Sequence, residues 1–154
     1  MNFILETYNK LKDQEGGLKQ FSDTVCEITP YFKTIDPLVI ELRPGFGKWS
    51  MKKVKSVENH LGTVHAIAMC NLAEVVAGLT TEVSVPSHKR WIPVGMEVQY
   101  LKKAKTDLVG SCFFENIDWE TIEILKVPVV IRDEDDQEVV KALISMKISD
   151  KKKD

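Results

Sequence analysis

The chain has 154 residues, 44% of them apolar and 29% charged, with 21 basic and 23 acidic side chains for a formal charge of −2. That length fits one domain, the composition is that of a folded globular chain, and the charge balance argues against a nucleic-acid binder built on phosphate contacts. The longest apolar stretches fall short of the ~20 residues a bilayer span needs, and the N-terminus has no basic start followed by an apolar run, so neither a membrane span nor a secretory signal is expected. Three widely spaced cysteines, Cys26, Cys70 and Cys112, form no Cys-x-x-Cys or Cys/His zinc pattern, which predicts a reduced, cytoplasmic protein without a metal site.

Residues 1–30 read as two short helices. Phe3, Ile4, Tyr8 and Leu11 share one helical face, Gly16-Gly17 interrupts, and Leu18, Phe21, Val25 and Ile28 repeat at spacings of three and four. Pro30 and Pro37 bracket a loop. Over 38–54 the pattern becomes that of a strand hairpin. Leu38, Ile40 and Leu42 alternate with Val39, Glu41 and Arg43, Pro44-Gly45 turns, and Trp49 and Met51 oppose Lys48, Ser50 and Lys52.

Residues 64–80 are almost wholly Val, Ile, Leu, Met, Ala and Cys without period-two polarity, which predicts a helix buried on nearly all sides. Period two returns after Pro86. Ile92, Val94, Met96, Val98 and Tyr100 are expected to point one way, and Gly95, Glu97 and Gln99 the other. Across 91–148 four strands joined by short connections should run antiparallel. The simplest way to bury such a helix in so short a chain is to wrap a strongly curved antiparallel sheet around it, giving one α+β domain over 1–154.

Three polar groups interrupt the apolar helix. Glu74, within Leu72-Ala73-Glu74-Val75-Val76, is costly to ionise there unless it finds water or donors, a setting suited to a general base or nucleophile; facing solvent or pairing with a lysine is the plain alternative. Asn71 lies one turn earlier on the same side, able to orient Glu74 or a water, or to be a satisfied core amide. His65 cannot share a proton with Glu74 within one helix, since nine residues turn the chain by about 900° and separate the two by ~13 Å. Thr63, after Leu61-Gly62, is the expected N-cap, leaving the N–H groups of His65 and Ala66 free at the positive helix end, where an anion or oxyanion could bind. An oxyanion site at Ala66 and a base at Glu74 would be about 12 Å apart along one helix, so both can serve one carbon only across a pair of antiparallel helices from two chains.

Asn59-His60-Leu61-Gly62-Thr63-Val64-His65-Ala66, followed by Asn71-Leu72-Ala73-Glu74, resembles the signature of hotdog-fold thioesterases of the phenylacetate-pathway type: an Asn, a Gly three residues on, a His six on, and an acid nine beyond the His. Asn59 to Glu74 and Arg90 to Ala104 are also similar to an uncharacterised hotdog family grouped with thioesterases. The resemblance implies the hotdog fold, a curved antiparallel sheet wrapped around a long central helix, here with two short N-terminal helices. It implies acyl-coenzyme A as substrate, no cofactor, and a homodimer or homotetramer. Glu74 would attack the thioester or activate water, the Ala66 N–H would polarise the carbonyl, and Asn59 would place water or carbonyl. His65, Gly62, Thr63, Asn71 and His60 would lie along the substrate.

The chain departs from the pattern at Val57, where the family usually has a His, and at His65-Ala66-Ile67 in place of His-Gly-Gly. Trp91-Ile92-Pro93-Val94 also lacks the usual hydroxyl. These departures keep open a non-catalytic acyl-thioester or fatty-acid binder, and a dehydratase or isomerase is a third possibility. Lys89-Arg90 and Lys102-Lys103 could meet coenzyme A phosphates or simply be solvated strand ends.

Overall fold

The computed structural model describes residues 2–152. Helix α1 is Phe3–Leu11 and α2 is Gly17–Ile28, as the spacing of their apolar residues predicts. Tyr8, Leu11, Phe21 and Val25 are buried, whereas Phe3 and Ile28, expected on the same faces, stay exposed. Pro30–Ile35, expected as a loop, is a 3-10 helix, entered at Pro30 and ended by Asp36 in the left-handed region. Strands β1 (Leu38–Arg43) and β2 (Phe46–Met51) form the expected hairpin.

The central helix α3 runs Ala66–Ser84, beginning two residues later than predicted and ending four residues later. Its extension past the apolar run has a local cause. The hydroxyls of Thr80, Thr81 and Ser84 donate to the carbonyls of Val76, Ala77 and Thr80 one turn back, which lets Thr80 and Thr81 bury, and Ser84, only partly buried, also accepts from the Gly45 N–H at 2.8 Å. By length and composition α3 would suit a membrane span, contrary to the expectation that no stretch would. An 18-residue window of it has a mean hydropathy of 1.3, yet 67% of that window is buried inside the fold, as in the core helix of a globular protein.

Strands β3 (Lys89–Tyr100), β4 (Leu108–Phe113), β5 (Ile124–Arg132) and β6 (Glu138–Asp150) complete one six-stranded sheet in the order β1-β2-β4-β5-β6-β3, with every pair antiparallel. The sheet curves around α3, as the sequence pattern predicts for an α+β domain and as the resemblance to hotdog proteins implies. Leu125, Val127, Val129 and Ile131 of β5 and Ala142, Ile144, Met146 and Ile148 of β6 are buried in one core cluster with Leu72, Val75 and Val76 of the helix. Close docking of the helix depends on glycine in β2. A Cβ at Gly47 would fall inside contact distance of Thr80 Oγ1.

Both edge strands break the simple alternation. In β1 a bulge between Val39 and Glu41 turns both Val39 and Leu42 inward and leaves Leu38 and Ile40 exposed. In β3 a bulge between Pro93 and Gly95 switches the parity. Trp91 and Pro93 lie opposite the inward Ile148 and Met146, Ile92 opposite the outward Lys147, and Met96 and Val98 opposite Ile144 and Ala142. Ile92 therefore does not share a face with Met96 and Val98, as strict alternation had predicted.

Candidate functional site

The loop before α3 is tied by Asn59. Its Oδ1 accepts from the N–H groups of Leu61 (2.9 Å) and Thr63 (3.2 Å), and its Nδ2 donates to Thr63 Oγ1 (2.9 Å). Gly62, at φ 73, supplies the left-handed turn this knot requires. With its hydroxyl held by Asn59, Thr63 does not cap the helix. The cap is His65, whose Nδ1 accepts from the Ile67 N–H at 3.0 Å. The His65 N–H, expected to be free, donates to the Val57 carbonyl, and the Val64 N–H donates to Ala104. The Ala66 N–H, at the first position of α3, takes no hydrogen bond among the described residues. Beside it lies a surface cavity of about 400 Å3 bounded by Asn59, Thr63, Ala66, Tyr100, Lys102 and Lys103. His60 sits exposed in the preceding turn.

Glu74 occupies the middle of α3. Leu72, Ala73, Val75 and Val76 around it are fully buried, while Glu74 keeps part of its surface in water. The helix is thus covered on most sides but not all. Ile67, Cys70 and Glu74, spaced by three and four, form a single line reaching solvent. The ion pairs of the described residues leave the Glu74 carboxylate out, so the lysine partner considered above is absent there. Asn71 is not directed to it either. The Asn71 amide is buried and donates to Thr34 Oγ1 (3.0 Å) and the Tyr31 carbonyl (3.4 Å), pinning the 3-10 helix to α3.

Glu74 borders a second cavity, an apolar groove of about 450 Å3 between α3, the N-terminal helices and β3. Asn59, Thr63 and Ala66 therefore share one cavity and Glu74 belongs to another. Eight residues of helix, about 12 Å of rise, separate Ala66 from Glu74. Sequence reasoning passed over the groove walls, because Ile28 and Phe32 come from one end of the chain and Trp91 from a strand about sixty residues on, and their only visible signal was apolar character. It also passed over the bond from Trp91 Nε1 to Glu82 Oε2 (2.6 Å).

The charged side chains sort differently from expectation. Lys89 is no solvated strand end. It is 7% exposed and pairs with Asp150 (2.7 Å) and Glu120 (3.6 Å). Its hydrogen bond with Asp150 raises the Lys89 ammonium above the usual lysine range and holds the Asp150 carboxyl below the usual carboxylate range. Arg90 donates to Ser149 Oγ. Lys102 and Lys103 remain on the surface, with Lys102 bonded to Gln137. The Tyr100 hydroxyl meets Cys70 Sγ at 3.2 Å, a contact that raises the phenol. Burial pushes the Cys112 thiol up to about 11. Among the described residues no three His, Cys, Asp or Glu side chains converge as metal ligands.

Residues 17–148 match the family described as a domain of unknown function (DUF4442). A crystal structure from a structural-genomics programme is 40% identical, with a TM-score of 0.86, covering 97% of this chain and 99% of that one. A thioesterase from Haemophilus influenzae is 11% identical with a TM-score of 0.74, over 85% of this chain and 90% of that one. A thioesterase family protein from Silicibacter pomeroyi is 12% identical with a TM-score of 0.72, over 84% and 96%. These last two likenesses are of fold. No curated protein matches the chain. The match over 17–148 and the relative spanning nearly the whole length give the same answer: the chain belongs to the DUF4442 family and has the hotdog fold of the thioesterase structures.

Proposed function

We propose that this protein hydrolyses acyl thioesters, acyl-coenzyme A foremost, in a symmetric dimer whose two sites are each built from both chains. The observation that carries the reading is the Glu74 carboxylate, without an ion pair among the described residues and half-buried in an apolar helix at the mouth of an apolar groove. Glu74 takes the proton of a water whose oxygen adds to the thioester carbon, or itself adds to that carbon. The C–S bond then breaks and the leaving thiolate takes up the proton drawn from the water. On the second route the acyl–Glu74 anhydride left behind is hydrolysed by a water, so that by either route a free acid and a thiol leave. The developing oxyanion is met by the open N–H of the partner subunit's Ala66, where the positive end of a helix favours negative charge. The ~12 Å between Ala66 and Glu74 in one chain supports the two-chain site, as does exposed apolar surface at Ile67, Ile92 and Val94 along α3 and β3. Lys102 and Lys103, beside Ala66, suit the coenzyme's phosphates. Such dimers can pair again into a tetramer. The thioesterase named from Haemophilus influenzae, sharing the fold, lends support.

The test is Glu74→Ala. Turnover of acyl-coenzyme A is expected to fall by ~100-fold or more, the scale of a lost general base, with the dimer intact by light scattering. Unchanged turnover overturns the assignment. A second reading, a non-catalytic binder of acyl thioesters or fatty acids, draws on one observation: the Asn59 amide is spent inside its own loop. Binding without turnover across a panel of acyl lengths selects that reading.

A further inference from the structure

The groove beside Glu74 runs along α3 past Gly78 and Leu79 to Glu82. Its other walls include Ile4 of α1, Val25 and Ile28 of α2, Phe32 of the 3-10 helix, and Trp91 and Pro93 of β3. From Glu74 to Glu82 the floor is eight residues, about 12 Å, long. At the far end the surface changes character. The Glu82 carboxylate accepts from Trp91 Nε1 at 2.6 Å, and Asn2 Nδ2 donates to the Glu82 carbonyl at 2.6 Å. Beyond this cluster lies a separate cavity, bounded in part by Arg90 and Lys151.

We propose that this groove is an acyl-chain channel with a built-in stop. The proposal rests on the thioesterase reading for what enters at Glu74, and its length limit rests on the groove alone. A zigzag chain of 1.5 Å bonds at tetrahedral angles advances ~1.25 Å per carbon, so 12 Å holds about ten carbons. A longer chain must push its methyl end against a hydrogen-bonded carboxylate, stripping water from a charge without replacing it. The stop is made by Asn2, Glu82 and Trp91 of the same chain. The depth of the channel is therefore set within one subunit, even though its mouth is shared.

The experiment measures calorimetric binding of S-alkyl-coenzyme A thioethers, from butyl to hexadecyl, to the full-length protein. These ligands lack the carbonyl and cannot be hydrolysed. Affinity is expected to rise by up to about fourfold per methylene until about ten carbons, then to level or fall. Ile28→Trp, which fills the wall, should move that break to shorter chains, and Glu82→Leu, which removes the polar stop, to longer ones. Affinity indifferent to length, a rise that continues through hexadecyl, or a break unmoved in both variants overturns the channel. Turnover and the Glu74→Ala comparison decide hydrolysis separately. Wild-type protein with the length break but no turnover keeps the channel and removes the hydrolase, and turnover without a break does the reverse.

Discussion

A shared site can be tested by complementation between two disabled chains. The first carries Glu74→Ala. The second carries Ala66→Pro, which removes the proposed oxyanion donor. Proline suits that position unusually well. Ala66 is the first residue of α3, where proline is favoured and its missing N–H breaks no helical bond. That N–H has no partner among the described residues to lose. The preceding residue, His65, already has φ −62 and ψ 138, the extended conformation that a following proline demands. The substitution should therefore cost little stability while deleting one donor, worth ~100- to 1,000-fold in turnover. Each variant alone is expected to be nearly inactive. Co-expressed in equal amounts with separate tags, the chains assort so that half the dimers are mixed. Each mixed dimer has one intact site, with Glu74 from one chain and the Ala66 N–H from the other, and one doubly damaged site. Activity should return to about a quarter of wild type, and to about half in purified mixed dimers. If mixed dimers stay at the parental level, the sites are not shared. If Ala66→Pro alone is fully active, that N–H is not the donor.

Asn71→Ala, which frees the 3-10 helix from α3, should lower stability to urea by ~1–2 kcal/mol; no change would mean that its two hydrogen bonds contribute nothing net. Gly47→Ala should cost ~1–3 kcal/mol by crowding Thr80, and Thr80→Ala in the same chain should recover part of it; lack of recovery in thermal melts would place the strain elsewhere. Hydrogen bonds from Lys19, Lys53 and Lys89 hold the carboxyls of Asp23, Glu58 and Asp150 below the usual range. A depressed folded-state value means that the folded chain resists protonation, so this stabilisation is complete above the unfolded carboxylate range, ~pH 4, and fades as pH falls through the depressed values. Urea midpoints should drop on acidification below ~pH 4, and a midpoint that rises there would contradict the assignment.

The central helix and the succession of helices and strands along the chain were legible because both rest on hydrophobic pattern, whereas the pairing of β3 with β6 in place of its chain neighbour β4 was not. Apart from Glu74, the stretch Leu72 to Leu79 has nowhere to go but inside, and Trp49 and Met51 face the core as alternation requires. What escaped depended on single extra residues and on competition for hydrogen bonds. Each edge bulge inserts a residue and reverses the facing of those beyond it, so Ile92 was assigned to the wrong side. Thr63 looked like the better cap by residue type, but its hydroxyl is taken by Asn59, a bond between loop residues that helix propensity cannot anticipate. Lys89 looked like surface because its acceptors, Glu120 and Asp150, are far away in sequence. Asn71 and Glu74 were legible as exceptions in an oily stretch. The divergence of their roles was not, since it depends on the 3-10 helix that receives the Asn71 amide.

The kinked margins of the sheet also bear on how far assembly can go. A straight, unpaired margin invites one strand after another and ends in fibres. Here a two-fold pairing that covers β3 would leave only the β1 margins outward, each a six-residue strand interrupted at Ile40 and carrying the charges of Glu41 and Arg43. Such margins offer poor templates for further addition. Growth should close at a small, finite particle, and the protein should tolerate crowding without polymerising.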